Sequence, residues 1–262
     1  MSGGGETAMS DITRDHIYRT IEKNQRADGR RLEDFRLINV ETNFIKSAGG
    51  SAMVHLGDTR VLAGIKSIVG TPFSDTPDKG VLTTNAELIP LASETFESGP
   101  PKQPAIELAR VVDRGIREGQ AVDFQKLCIK AGEEVWINYV DIHILDYDGN
   151  LFDAANIAAV AALKTAVIPA SKFEKGEDYP FPMKHLPISA TFAKVNGHLI
   201  ADPSFDEEKV ASARLTVVTI ENGKLCAMQK GIGGSLTRAE VEKAIELSLQ
   251  FGIKVRKQVF NE

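Results

Sequence analysis

Three arginines lie on one side of a segment whose apolar residues recur at helical spacing. At about 100° per residue, Arg110, Arg114 and Arg117 fall opposite the predicted buried face. That face comprises Ala105, Leu108, Val112 and Ile116. Arg110 and Arg114 are like charges at i and i+4, which repel by about 0.2–0.5 kcal/mol unless an anion intervenes. Two interpretations follow: a phosphate-binding face, or a solvated face with nearby acids as counter-charges.

A second chemical feature is the acidic run that contains Asp202, Asp206, Glu207 and Glu208. Carboxylate oxygens are suitable ligands for a divalent cation. The same residues are also typical of a turn at Asp202-Pro-Ser followed by a solvated acidic segment, and we favour that interpretation. We therefore predict no metal site in this chain.

Composition limits the possible partners. The chain has 262 residues and a net charge of −5, so any contact with nucleic acid must be confined to a local basic surface. Cys128 and Cys226 show no Cys-x-x-Cys spacing and are expected to be reduced thiols. We predict no membrane-spanning segment, no secretory signal in Met1–Asp11 and a cytoplasmic location.

Periodicity and turn signals predict alternating groups of strands and helices. A helix is expected at 13–23, a helix at 104–119 and an alanine-rich buried helix at 154–166. Asn196-Gly197 and Asn222-Gly223 separate strand-like runs and predict two hairpins. This order indicates an α+β fold with mixed sheets and packed helices. We expect residues 1–23 to form a tail and helix, and residues 24–262 to form a single domain.

Five segments in order resemble the ribonuclease PH family. They are RADGR at 26–30, GDTRVLA at 57–63, IELARVVDR at 106–114, WINYVDIHILDYDG at 136–149 and IADPSFDEE at 200–208. The resemblance extends over nearly the whole chain and implies the duplicated two-layer fold of that family. It also implies a role in phosphorolysis, in which inorganic phosphate attacks the last linkage at the RNA 3′ end.

Within the family, the sequence differs from active members at three separate positions. An arginine pair ahead of the 104–119 helix is replaced by Gln103-Pro104. A hydroxyl and an arginine after Asp148-Gly149 are replaced in the run Asn150-Leu151-Phe152. Two late aspartates align with Glu208 and Arg214, so one acid becomes a cation. The chain therefore resembles the non-catalytic ring subunits of archaeal exosomes.

This resemblance implies a set of partners and a role for the arginine face. The partners would be an active paralogue in a ring of three heterodimers, RNA-binding cap proteins and single-stranded RNA. The helix at 104–119 would adjoin the neighbouring active site, which implies that Arg110 and Arg114 bind RNA. Phosphate, and a divalent metal if one is used, would belong to the paralogue, so this chain would need no cofactor.

Two alternatives remain open at this stage. The chain could be a competent phosphorolytic exoribonuclease that uses Glu208, Asp206 and lysines as a divergent set. Without the family resemblance, it could equally be an acidic scaffold or a small-molecule binder. Arg60 and Lys66 are weaker candidates for lining a central pore. His55 and His143 alternate with apolar residues in strand-like runs and are expected to be structural.

Overall fold

Two large β-sheets, a two-stranded sheet formed by β7 and β8, and five α-helices make up most of the part of the chain that the computed structural model describes, residues 11–261. The helices are α1 (Asp11–Glu22), α2 (Gln103–Glu118), α3 (Leu151–Thr165), α4 (Phe205–Val210) and α5 (Arg238–Val255). The strands up to the centre of the chain are β1 (Ile38–Thr42), β2 (Gly50–Leu56), β3 (Thr59–Gly70), β4 (Val81–Leu88), β5 (Cys128–Lys130) and β6 (Glu134–Asp146). The later strands are β7 (Val167–Ile168), β8 (Tyr179–Pro180), β9 (Ile188–Val195), β10 (His198–Ala201), β11 (Ala213–Thr219) and β12 (Leu225–Gly231).

The first sheet has the order β1-β2-β3-β6-β4, with the short β5 also paired to β6. All pairings in it are antiparallel except that of β4 with β6, which is parallel. The antiparallel second sheet has the order β10-β9-β11-β12. Asn196 and Gly197, at the tip of the β9–β10 hairpin, both have positive φ, as a two-residue turn of this kind requires.

Helix α3 lies between the two sheets, where it contacts β2 and β3 on one side and β9 on the other. Every residue from Phe152 to Leu163 is buried, so the helix has no solvent face. Alanine suits this position because its small side chain lets the strand backbones approach closely. The Cβ that a side chain at Gly50 would add lies only 2.4 Å from the Ala162 carbonyl oxygen, which shows how tight the packing is.

The remaining helices cover other parts of the two sheets. Helix α2 packs on β4, α3 and β12, and α5 packs on β9 and β11. The start of α5 is a capping box in which Thr237 and Glu240 bond to each other's backbone amides. In α1, Ile17 and Ile21 are buried against residues of the second sheet.

The predicted α+β fold with mixed sheets and packed helices is confirmed. Boundaries shift by a few residues: the buried helix begins at Leu151 rather than Ala154, because Asn150 caps it. The N-terminal tail, Met1–Ser10, lies outside the described residues. Among residues 11–261, no helix combines the length and apolar character that crossing a bilayer requires.

Candidate functional site

The exposed face of α2 carries the arginines that were predicted to bind RNA. Arg110 and Arg114 are exposed, while Leu108, Val112 and Ile116 on the opposite face are buried. The helix therefore has the orientation that its apolar spacing predicts. It presents a cationic surface beside β12, the edge strand of the second sheet.

The three arginines differ in the hydrogen bonds and ion pairs that they form. Arg114 Nη1 donates to Gln229 Oε1 on β12 at 2.8 Å, and this neutral partner leaves its charge uncompensated. Arg117 pairs with Asp113 and also donates to the Leu82 carbonyl oxygen. Arg110 makes no hydrogen bond or ion pair with any residue of the described range. Arg110 and Arg114 thus keep their charge for an external anion, and Arg117 does not.

The three altered positions of the sequence meet around one small cavity. This cavity, of about 110 Å³, is lined by Pro104, Leu151, Phe152, Glu208 and Arg214, together with other side chains. The departures are far apart in the sequence, yet the fold brings them to one place. Apolar and aromatic side chains, among them Leu88, Phe96 and Phe152, line most of this cavity.

Arg214 is the central cation of this altered site. Its guanidinium carbon lies 4.1 Å from the centroid of the Phe152 ring, a cation–π contact. Its Nη2 donates to Glu107 Oε1 of α2 at 2.5 Å. The side chain is only 15% exposed. The guanidinium is therefore already paired with the Glu107 carboxylate, in a cavity that Glu208 also lines.

Glu208 is bound inside the protein. Its Oε2 accepts from Tyr147 Oη at 2.6 Å, and its Oε1 accepts from the Asn150 amide at 3.0 Å. Burial raises the pKa of the Glu208 carboxyl, although these hydrogen bonds and the charge of Arg214 act in the opposite direction. Both oxygens of this carboxyl are therefore already engaged by groups of the protein itself.

The N-terminus of α3 does not form a phosphate cradle. Asn150, at φ +52°, caps the helix: its side-chain oxygen accepts from the Asp153 amide at 3.4 Å. Its amide group donates to Asp153 at 2.8 Å and to Asp202 at 2.7 Å. Leu151 and Phe152 follow without a hydroxyl or a cation. The first turn thus lacks the side-chain donors that phosphate needs.

The acidic run is held by arginines from the N-terminal part of the chain. Asp202 is fully buried and accepts from Arg30 at 2.8 Å and from Arg36 at 2.7 Å. Burial opposes ionisation of Asp202, but Arg36 and Arg30 outweigh it and lower the pKa of this carboxyl. Glu207 forms a buried bidentate pair with Arg26, with one contact of 2.8 Å. No set of three or more metal-ligating side chains is gathered anywhere in residues 11–261.

Sequence analysis assigned no role to these N-terminal arginines, although two of them lie in the RADGR motif. Arg26 is 2% exposed, and Arg36 bonds to the main chain at Asp148 as well as to Asp202. The buried acids with which they pair, Glu207 and Asp202, lie more than a hundred residues away in the chain, so local spacing contains no sign of this pairing. The only signal was the recurrence of the motif in the family.

The other candidate residues have ordinary environments. Arg60 lies 3.9 Å from Asp146, and both side chains are about half exposed. Lys66 borders an open cleft of about 750 Å³ on the first sheet. His143 lies 3.4 Å from Glu87, and His55 lies in β2 opposite Arg60 of β3. The placing of Arg60 and Lys66 in a pore stays a prediction.

Comparison with known proteins identifies the class. Residues 34–169 match the model of domain 1 of the 3′ exoribonuclease (RNase PH) family, and residues 185–250 match its domain 2. These two matches span most of the chain. The chain therefore belongs to the 3′ exoribonuclease family.

The similarity to individual members is close. The exosome complex component Rrp42 of Methanocella arvoryzae is 51% identical over 243 residues, covering 93% of this chain and 94% of that protein. The Rrp42 component of Thermococcus gammatolerans is 52% identical over 257 residues, covering 95% and 94%. A chain of the Archaeoglobus fulgidus exosome with RNA bound to the active site superimposes with a TM-score of 0.92 at 48% identity, covering 95% of this chain and 98% of that one.

Proposed function

We propose that this chain is a non-catalytic ring subunit of an exosome that degrades RNA from the 3′ end by phosphorolysis. The observation that carries the proposal is the cavity at which all three altered positions meet. Its single arginine, Arg214, is committed to Glu107. The similarity to Rrp42 components over nearly the full length of both proteins supports the same function.

Electrostatics explains why the altered site is unsuited to phosphorolysis. Inorganic phosphate and the scissile diester are both anions, and bringing them together requires several cations or a metal. Here the guanidinium of Arg214 is paired with Glu107, and the half-buried Glu208 lines the same cavity. The alternative, a competent nuclease that uses Glu208, Asp206 and lysines, is disfavoured because Glu208 is bound to Tyr147.

The proposed contribution of the chain to the assembly is cationic. Arg110 and Arg114 would contact the RNA backbone as it approaches the active site of a neighbouring catalytic paralogue. Phosphate contacts of this kind fix the position of the strand without reading its sequence. This role requires an exposed guanidinium with no competing carboxylate, and Arg110 fulfils that requirement within the described residues.

The wider assembly follows from the same proposal. The partners would be an active RNase PH-like paralogue, arranged with this chain as a ring of three heterodimers, and RNA-binding cap proteins. Phosphate and any divalent metal would bind to the paralogue, and this chain would bind no cofactor. Residues 24–262 would act as one unit in the cytoplasm, which fits the hydrophobic core shared by both sheets.

A double substitution, Arg110→Glu with Arg114→Glu, tests the RNA contact. In the mixed ring, RNA affinity should fall at least ten-fold, since a charge-assisted hydrogen bond contributes about 1.5–3 kcal/mol. Fluorescence anisotropy with labelled single-stranded RNA measures the affinity, and size-exclusion chromatography verifies assembly. The slope of affinity against salt should also become shallower.

Arg238→Glu on α5 is the matched control. Arg238 is 92% exposed, and its substitution changes the charge by −2 away from α2, as each of the two substitutions on α2 does. If the double variant assembles and binds RNA as tightly as the unmodified ring, the arginine face is not an RNA-binding surface.

A further inference from the structure

Helix geometry determines which carboxylates could neutralise Arg110. On a helix, residues three and four positions apart are neighbours. For Arg110 these neighbours are Ile106 and Glu107 on one side, and Asp113 and Arg114 on the other. Two acids are therefore within reach, each three residues away. Both would be expected to pair with Arg110 on a solvated helix face, and neither does.

Glu107 is occupied by Arg214, which projects from β11. Arg214 Nη2 lies 2.5 Å from Glu107 Oε1. Packing on Phe152 holds Arg214 in place, with its guanidinium carbon 4.1 Å from the ring centroid. The backbone of Gly231 on β12 adjoins the same guanidinium: a Cβ at that position would fall 2.4 Å from Arg214 Nη2. Arg214 is thus fixed from several directions at the point where it meets Glu107.

Asp113 is occupied by Arg117 and by β4. Its Oδ2 accepts from Arg117 Nε at 2.6 Å, and its Oδ1 accepts from Thr84 Oγ1 at 3.2 Å. Both carboxylate oxygens are therefore engaged on the side of the helix that faces the first sheet. Arg117 is itself anchored to the Leu82 carbonyl oxygen.

We propose that Arg214 and Arg117 are positioning residues that hold Glu107 and Asp113 away from Arg110 and so keep the charge of Arg110 available to RNA. The inference rests on the proposed function, and it supplies a reason for the charge inversion at position 214. An acid there would leave Glu107 without a partner. Glu107 could then turn along the helix and neutralise Arg110.

The test uses the ring assembled from this chain and its active paralogue, with labelled single-stranded RNA and no added phosphate. Arg117→Gln and Arg214→Met should each weaken RNA binding about two- to five-fold, the range of an exposed ion pair. Neutralising the released acid should restore it. Affinity should return to the original value in Arg117→Gln/Asp113→Asn and in Arg214→Met/Glu107→Gln.

Restored RNA affinity in the double variants distinguishes a positioning role of Arg117 and Arg214 from a purely structural one. If Arg117 and Arg214 only supported the fold, removing a second partner would not recover affinity, so weakened binding without restoration overturns the proposal. Unchanged affinity in Arg117→Gln overturns it as well. Arg117 is 42% exposed, so its single and double variants should still assemble and test the proposal even if Arg214→Met, at a more buried position, fails to assemble.

One control and one comparison complete the experiment. Arg238→Gln removes an arginine from its i,i+4 pair with Glu242 on α5 and should leave RNA affinity unchanged. Arg110→Glu should weaken binding if the proposed function holds. Loss of affinity in Arg110→Glu without the restoration pattern rejects only the positioning role. No loss in Arg110→Glu rejects the proposed RNA contact itself.

Discussion

Substitution of Asp202 tests whether this acid stabilises the fold rather than acting in a functional site. We predict that Asp202→Asn lowers the free energy of unfolding by about 3–5 kcal/mol, the cost of breaking a buried ion pair. Its carboxylate accepts from Arg30 and Arg36 at 2.7–2.9 Å and from Asn150 at 2.7 Å. An amide cannot compensate the two guanidinium charges, and its NH₂ group would face donors.

The backbone does not confound this substitution. Asp202 has φ +48°, a left-handed conformation that asparagine also adopts readily. The matched control is Asp206→Asn, the same chemical change on an exposed side chain in the first turn of α4. Only a helix-dipole interaction is lost there, at a cost of about 0.3–1 kcal/mol.

Chemical denaturation at pH 7 and at lower pH measures both variants. Because the pKa of Asp202 is lowered in the folded state, its stabilisation is present above the unfolded value of 3.8 and is lost as the pH falls through the folded pKa. The gap between the original protein and Asp202→Asn should therefore narrow in acid. Equal costs for the Asp202 and Asp206 variants at pH 7 would refute the structural assignment.

Two further predictions concern the same region. Burial raises the pKa of Asp153 to about 6, so between pH 4 and 6 the unfolded state releases this proton and the folded state retains it. As the pH rises from 4 to 6, the free energy of unfolding of the protein relative to that of Asp153→Asn should therefore fall by up to ~3 kcal/mol. A difference between the two proteins that stays constant over this pH range in denaturation measurements would contradict this. Gly149→Ala should destabilise strongly, by more than about 3 kcal/mol, because its Cβ would lie 2.5 Å from the Pro203 carbonyl oxygen. The control Gly197→Ala has a similar φ, +80°, in open space and should cost only about 1 kcal/mol, so equal melting temperatures for the two variants would count against the packing argument.

Local features of the fold could be predicted from the sequence because each depends on neighbouring residues. The spacing of apolar residues in α2 predicted its buried face, and the alanine-rich run predicted that α3 would be buried. Asn196-Gly197 predicted its hairpin because both residues must adopt positive φ. The capping box of Thr237 and Glu240 at the start of α5 is likewise a local motif, formed by residues three positions apart.

Pairings between distant residues could not be predicted in this way. The contact of Arg26 with Glu207 joins residues 181 positions apart, and that of Arg214 with Glu107 spans 107 positions. No pattern in a single sequence selects such partners. The sequence located the three altered motifs, but only the fold showed that they surround one cavity and that Arg214 in its lining pairs with Glu107.

Phosphorolysis itself provides the most direct test of the central claim. Single-stranded RNA and inorganic phosphate are added to this chain, to its active paralogue and to the assembled mixture, and the release of nucleoside diphosphates is measured. The mixture should degrade RNA, and this chain by itself should release none. Release of nucleoside diphosphates by the isolated chain, abolished by Glu208→Gln, would contradict the account.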